Sequence, residues 1–201
     1  IEKWLSRLYR TAFLQKRASA KEVAKRASTW YVEQDDPRFL WMHLMEPHLP
    51  YYPGLRRAQD VGLLDSYRSV ISYQRHGDET PQRHIDTQRS LYDKCVDLFN
   101  EYVPNLLDFI DDNSIVVSFG DHGEEFDHGH YDHERLYDEC VRVPLYYRNI
   151  EFEEADSPLR QIDIAPKILD SIDVSVPTEW DGQKPKSMAN HPAMMVTHAP
   201  E

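Results

Sequence analysis

A polar segment between two apolar runs constrains the fold of this chain more than any other feature. The apolar run SIVVSF at 114–119 leads into GDHGEEFDHGHYDH, and a second apolar run, VPLYY, follows at 143–147. The polar segment contains the pair Asp121 and His122, three further histidines and several carboxylates. Buried strands that flank such a cluster are typical of an α/β enzyme that holds a metal ion and an anionic substrate. Residues 39–53, FLWMHLMEPHLPYYP, have the same arrangement, in which an apolar run is followed by His48 among prolines. Together the two segments indicate a metal-dependent hydrolase.

The composition excludes several classes of protein. With 201 residues, of which 40% are hydrophobic, the chain is one sizeable domain or a large piece of a bigger one, with a packed core. A net charge of −12 argues against binding to nucleic acid and to anionic membrane surfaces. The chain has 15 arginines and 8 lysines against 35 acidic residues. This balance is typical of a protein from a very salty cytoplasm, and equally of a merely acidic protein.

The cysteines and the chain start leave the compartment open. Cys95 and Cys140 form neither a disulfide framework nor a CxxC motif, so a cytoplasmic and a secreted location are both compatible with them. No apolar run approaches the roughly 20 residues that span a bilayer. The chain begins at Ile1 without a methionine, which indicates an N-terminally trimmed sequence, and a missing signal peptide therefore says little about location.

Strands that alternate with helices predict an α/β fold with a mostly parallel sheet flanked by helices. The predicted strands are 39–44, 114–119 and 143–147. The predicted helices are 2–33, a short one near 60–74, one at 84–110 that Pro104 kinks or divides, a turn or two at 134–141, and 162–172. Residues 174–201 are rich in proline and are predicted to be a surface tail.

Asp121 and His122 are the predicted metal ligands because they follow the 114–119 strand directly. In parallel α/β sheets, ligands bind at the carboxyl ends of strands, where the loops converge. A carboxylate offers a hard oxygen and an imidazole a borderline nitrogen to a divalent ion. Gly120 and Gly123 allow the backbone to bend between them. The alternative for a lone Asp-His-Gly is a solvated polar loop.

His48 and His133 are the next candidates, because an imidazole can donate to an oxyanion or protonate a departing oxygen near neutral pH. Taken singly, each is more typical of a structural loop histidine than of a catalytic one. His128 and His130 are weaker candidates for further ligands, because His-x-His on a loop is weak evidence. We expect Tyr51 and Tyr52 to be packing rings, Glu124 and Glu125 to be solvated loop charge, and Arg142 to be an ion-pairing or capping residue.

The chain resembles a known family at four places. The segment DHGEEF…H…LYDECVRVPL resembles the sulfatase family of the alkaline-phosphatase superfamily. A strand and loop with the family's active-site histidine is resembled by FLWMHLMEPHLPYYP. The helix before the family's metal strand is resembled by LYDKCVDLFNEYVPNLLDFI, and the helix after that half of the site is resembled by RQIDIAPKILDSIDV. The four matches keep the family order over about residues 37–176.

The resemblance implies a role for each candidate. Asp121 and His122 match the two metal ligands from the second half of the family's site, where many sulfatases have Asn instead of His. His48 matches the histidine that contacts the sulfate, and His133 falls where many sulfatases place a lysine. The implied cofactor is a divalent metal, calcium first, with magnesium and manganese as alternatives. The implied substrate is a small-molecule or glycan sulfate ester.

The chain also departs from the family pattern. It has no Cys/Ser-x-Pro-x-Arg nucleophile motif and no Asp-Asp pair after an N-terminal strand. The resemblance therefore implies that residues 1–173 are the C-terminal portion of a sulfatase-type domain with half a metal site. Such a piece exposes an unpaired sheet edge, and we expect it alone to be inactive and to form homo-oligomers, aggregate or melt early.

Three other functions are compatible with the sequence. One is phosphoryl transfer by a phosphodiester or phosphonate hydrolase or a phosphoglycerol transferase, which the same residues suit. The second is a non-catalytic truncated module, and the third is a zinc or nickel store on the histidine-rich loop. The identity of the nucleophile would separate sulfate from phosphoryl chemistry, and the effect of Asp121→Ala on metal binding would separate an enzyme from a module.

Overall fold

The computed structural model of the chain describes residues 18–35, 37–152 and 159–182. These residues belong to two compact units. The first unit contains residues 18–35, 37–111 and 125–132, and the second contains 112–124, 133–152 and 159–182. No helix among the described residues is long and apolar enough to cross a membrane.

The first unit is helical. Its helices are α1 (Ala20–Glu33), α2 (Leu55–Val61), α3 (Leu63–His76) and α4 (Gln82–Leu107), with a 3₁₀ turn at Gly77–Glu79. α1 begins with a capping box in which the Ser19 side chain accepts from the Glu22 backbone N–H and the Glu22 carboxylate accepts from the Ser19 backbone N–H. Gly62, at φ 104°, separates α2 from α3, a backbone conformation that favours glycine.

An aromatic cluster forms the core of the first unit. The buried members are Tyr51, Ala58, Ile85, Leu91, Cys95, Phe126 and Tyr131. The loop Glu125–Asp132 supplies two of these rings and closes on itself, because the Glu125 N–H donates to the Asp132 carbonyl at 3.0 Å. The Tyr73 hydroxyl donates to the Asp132 carboxylate at 2.5 Å, and Arg89 pairs with Asp127. The loop is thus held by both apolar packing and polar contacts.

The second unit contains a two-stranded antiparallel sheet. β1 (Val116–Phe119) pairs with β2 (Leu145–Arg148) in a register that sets Val116 opposite Arg148 and Phe119 opposite Leu145. α5 (Asp138–Val141) precedes β2, and a 3₁₀ turn at Gln161–Asp163 leads into α6 (Ile164–Ser171). The Asn149 side chain, just after β2, donates to the carbonyls of Asp112 and Ser114 and ties the start of β1 to the end of β2.

Several elements confirm the sequence prediction. β1, β2 and α4 lie within or close to the predicted 114–119, 143–147 and 84–110, and α6 with its preceding turn matches 162–172. α1 confirms the later part of the predicted 2–33 helix, whose residues 1–17 lie outside the described part of the chain. α5 is the helical turn predicted within 134–141.

Other predictions need correction. Residues 39–44 are not a strand: they have no regular structure, and Phe39 and Trp41 are 76% and 66% exposed, because no neighbouring strand pairs with them in the described chain. The 60–74 helix is two helices, α2 and α3. α4 is not divided, since it continues past Pro104 to Leu107. Of the predicted tail, residues 174–182 are irregular and 183–201 lie outside the described residues.

The mostly parallel sheet is not confirmed, because the sheet in the described residues is antiparallel. A parallel connection needs a crossover, usually a helix, that returns the chain to the starting end of the first strand. The helix between β1 and β2 is α5, which has four residues and cannot make that return. The chain therefore comes back along β1 in the opposite direction.

Candidate metal centre

The loop after β1 positions the two predicted metal ligands in the second unit. Pairing with β2 ends at Phe119, and the next four residues are Gly120, Asp121, His122 and Gly123. The Gly123 N–H donates to the Cys140 carbonyl of α5 at 2.7 Å. A Cβ on Gly123 would lie 1.9 Å from the Glu139 carbonyl oxygen, so only glycine allows the loop to approach α5 this closely. The loop is thus held close to α5 at Gly123.

Asp121 and His122 present two ligand atoms at a separation that suits one ion. The Asp121 Oδ1 atom lies 3.9 Å from His122 Nε2, and the Asp121 side chain is well exposed. His122 Nδ1 lies 2.9 Å from the Gly123 carbonyl, which only accepts, so the ring proton is on Nδ1 and the lone pair is on Nε2. A histidine ligand has its second nitrogen fixed in this way in most metal sites. Ligand bonds of roughly 2.0–2.6 Å to one ion place two donor atoms at such a separation. The donor set therefore fits a divalent metal.

His133 lies beside His122 and is held by a buried carboxylate. Its Nδ1 is 3.2 Å from Glu124 Oε1, and the Glu124 side chain is only 3% exposed. The His122 and His133 rings stack with centroids 3.8 Å apart and an angle of 23° between their planes. Since a carboxylate accepts and does not donate, it orients the His133 ring with its proton on Nδ1. The structure therefore brings Asp121, His122 and His133 together, and adds Glu124.

His48 lies in the first unit, on the irregular segment before α2. Its Nδ1 atom is 2.6 Å from the Leu49 carbonyl oxygen, and the ring is partly buried. The same argument assigns its proton to Nδ1 and its lone pair to Nε2. Tyr51, three residues on, is buried and packs against Tyr92, Phe126 and Tyr131. This packing anchors the segment that contains His48.

The remaining sequence predictions divide into two groups. Arg142 forms the predicted ion pair, with its Nε 3.3 Å from the Asp138 carboxylate, and Tyr51 is a packing ring. The prediction of solvated charge is wrong for Glu124, whose side chain is buried beside His133, and for Glu125, which is 0% exposed. Glu124 contacts His133, and the backbone of Glu125 pairs with Asp132; the sequence of this polar segment does not reveal these contacts.

Sequence reasoning also missed Gln161. Its side-chain nitrogen Nε2 donates to the carbonyls of Gly120 and Asp121, both at 2.9 Å. The neighbouring Arg160 forms a two-point ion pair with Asp163, which is 0% exposed, and this hydrogen bonding raises the pKa of the guanidinium. The sequence signals were the position of Gln161 directly before a predicted helix and its place in the segment RQIDIAPKILDSIDV, and neither indicates its contacts.

Comparison with protein families identifies the chain at the level of family. A family model described as Sulfatase matches residues 2–174. The chain therefore belongs to the Sulfatase family, which is a family of hydrolases that act on sulfate esters, generally bind a divalent metal and have an alkaline-phosphatase-like α/β fold. No curated protein and no solved structure matches the chain.

Proposed function

We propose that the chain is part of a metal-dependent sulfuric-ester hydrolase in which Asp121 and His122 are metal ligands. The observation that carries the proposal is the 3.9 Å separation of Asp121 Oδ1 and His122 Nε2, together with the hydrogen bond that assigns the His122 proton to Nδ1. Membership of the Sulfatase family supports the same chemistry. A bound divalent ion supplies positive charge that neutralises the oxygens of a sulfate group and activates a hydroxyl nucleophile.

The metal is calcium in this proposal, with magnesium and manganese as alternatives. A carboxylate oxygen suits all three ions, and an imidazole nitrogen suits manganese better than calcium. Asp121 and His122 supply only two ligands, whereas calcium takes 6–8 and magnesium about six. Further protein oxygens or water must therefore complete the coordination. The substrate is a small-molecule or glycan sulfate ester, whose charge suits this cation site.

His133 and His48 are the proposed catalytic histidines. Each ring carries its proton on Nδ1 through a local hydrogen bond, to Glu124 and to the Leu49 carbonyl respectively. Such bonds fix the ring orientation, so that Nε2 is the atom directed to other partners. An Nε2 that takes up a proton becomes a donor to sulfate oxygens or to a departing oxygen. His133 in this role replaces a permanently charged lysine with an imidazole, which donates only from a protonated ring nitrogen.

The nucleophile is proposed to lie outside this chain. No Cys/Ser-x-Pro-x-Arg motif occurs in residues 1–201. We therefore assign residues 1–173 to the C-terminal portion of a sulfatase-type catalytic domain and 174–201 to a Pro-rich surface tail. The exposed Phe39 and Trp41 support this division, because a mostly parallel sheet completed by further strands would cover them. Chain 1–201 alone is expected to form homo-oligomers and to have no turnover.

A phosphoryl-transfer relative is the second candidate. The observation that favours it is the pair of histidines at 122 and 133, where many sulfatases have Asn and Lys. The metal ligands would be the same, and the substrate would be a phosphate ester, a phosphonate or a phosphodiester. A threonine or serine nucleophile would belong to this chemistry, and a cysteine converted to formylglycine to sulfate hydrolysis.

The experiment is a hydrolysis assay combined with peptide mass mapping of the protein purified from its natural source. We expect turnover of 4-nitrophenyl sulfate, little turnover of 4-nitrophenyl phosphate, and a formylglycine-bearing peptide outside residues 1–201. Asp121→Ala and His122→Ala should each abolish the turnover, whereas Asp93→Ala, on α4 in the first unit, serves as a matched control and should not. Sulfate hydrolysis by chain 1–201 alone, or activity unaffected by Asp121→Ala, would contradict the proposal.

A further inference from the structure

Gln161 holds the backbone of the metal-ligand loop through two hydrogen bonds. An amide NH₂ group has two donors, and those of Gln161 go to the successive carbonyls of Gly120 and Asp121, each at 2.9 Å. These carbonyls come directly after Phe119, where the pairing of β1 with β2 ends. Gln161 therefore supplies donors at the point where the sheet stops supplying them, and it contacts the backbone of one proposed ligand directly.

The turn that presents Gln161 is anchored on both sides of the residue. Arg160 Nε lies 2.7 Å from Asp163 Oδ2, and Arg160 Nη2 lies 2.8 Å from Asp163 Oδ1. Asp163 is fully buried at the start of α6, so the ion pair ties the 3₁₀ turn to the helix. Two parallel bonds of this kind restrict the pair to one geometry. Gln161 thus projects from a fixed support and not from a loose loop.

The chemistry of the side chain also suits a neighbour of a cation site. A lysine or arginine could donate to the same carbonyls, but its positive charge would oppose binding of a divalent cation at Asp121. A neutral amide donates without adding charge. Gly123 fixes the other end of the loop through its 2.7 Å hydrogen bond to the Cys140 carbonyl. The loop between these two attachments contains Asp121 and His122.

We infer that Gln161 is a positioning residue for the metal centre, which it serves by fixing the backbone of Asp121 and not by binding the ion. The inference rests on the proposed function, since it presumes that Asp121 and His122 are ligands. Partners that orient metal ligands typically contribute about 10–100-fold to metal affinity. For Gln161, which is exposed and acts through the backbone, we expect the lower end, about tenfold.

The test uses the natural protein that contains this chain and Mn²⁺, whose paramagnetism broadens NMR signals of nearby nuclei. Gln161→Met keeps the length of the side chain and removes both donors. Gln59→Met, on the exposed side of α2 in the first unit, is the matched control. For each protein, Mn²⁺ is titrated against the amide signals of residues 120–123, and thermal unfolding and the backbone order parameters of the same residues are measured without metal.

We expect Gln161→Met to weaken Mn²⁺ binding about tenfold, to lower the order parameters of residues 120–122, and to lower Tm by no more than roughly 5 °C. Gln59→Met should leave all three unchanged. A purely structural role would lower Tm with no change in the affinity of the folded protein, and that result would overturn the inference. Equal affinity of Gln161→Met and the unaltered chain would overturn it as well, while the proposed metal site would stand. Failure of the unaltered natural protein to bind Mn²⁺ would overturn the proposed function and this positioning role together.

Discussion

Replacing Gly123 with alanine should damage the second unit at the candidate site. The added Cβ would lie 1.9 Å from the Glu139 carbonyl oxygen, whereas such contacts are essentially never under 3.0 Å. The loop and α5 must therefore separate by about 1.1 Å, and the 2.7 Å hydrogen bond from Gly123 to the Cys140 carbonyl is stretched or lost. A lost hydrogen bond costs about 0.5–1.5 kcal/mol and overpacking about 1–3 kcal/mol, so we expect a loss of roughly 2–4 kcal/mol.

Thermal unfolding with a matched glycine variant is the assay for this prediction. In a chain of this size, 1 kcal/mol corresponds to about 2–4 °C in Tm, so Gly123→Ala should lower Tm by roughly 5–15 °C. Gly129→Ala is the control, because a Cβ there meets nothing within 4 Å and only the φ of +74° opposes it, at about 1–2 kcal/mol. If Gly123→Ala is no less stable than Gly129→Ala, the close approach of the loop to α5 is not part of the fold.

Three further perturbations have defined outcomes. Burial raises the pKa of the Cys95 thiol from 9.0 to about 12, so the stability that this group contributes is full below pH 9 and falls as the pH rises towards 12. By pH 10 the loss is about 1.4 kcal/mol, which corresponds to about 3–6 °C in Tm. The fall in Tm from pH 8 to pH 10 should therefore be smaller by this amount in Cys95→Ala than in the unaltered chain, and equal falls would refute this. Arg160→Met removes the cation that pairs with the buried Asp163 carboxylate and should lower the free energy of unfolding, measured by chemical denaturation, by about 3–5 kcal/mol. Adding Asp163→Leu should restore part of that stability, and a double variant no more stable than Arg160→Met would contradict the role of the ion pair. Tyr73→Phe removes the hydroxyl that donates to the buried Asp132 carboxylate and should cost about 1–3 kcal/mol, and an unchanged denaturation midpoint would show that water replaces this donor.

The spacing of apolar residues along the sequence predicted β1 and α4, because these elements depend on residues that are neighbours in the chain. The run SIVVSF gave β1 because continuous apolar residues bounded by glycine are typical of a buried strand, and helical spacing of apolar residues gave α4. Residues 39–44 have the same apolar character and form no strand. A strand needs hydrogen bonds from a neighbouring strand, and the composition of a segment does not reveal whether that neighbour is present.

The candidate site was predictable only in part, for a related reason. Asp121 and His122 could be selected because they follow a predicted strand directly, and this depends on chain order alone. Glu124 and Gln161 could not be selected, because each acts through a partner 9 or 40–41 residues away in the chain. Their residue types are common in exposed turns, and only the folded chain shows which polar side chain meets which backbone carbonyl or ring.

Asp121 and His122 are proposed to bind one divalent ion, and anomalous diffraction from crystals of the natural protein grown with Mn²⁺ would locate that ion. We expect an anomalous peak within roughly 2.0–2.6 Å of both an Asp121 carboxylate oxygen and His122 Nε2, with His122 Nδ1 still donating to the Gly123 carbonyl. Crystals of Asp121→Ala should lack this peak. A peak at other residues, or a clear map with none beside Asp121 and His122, would show that these two residues are not the metal ligands.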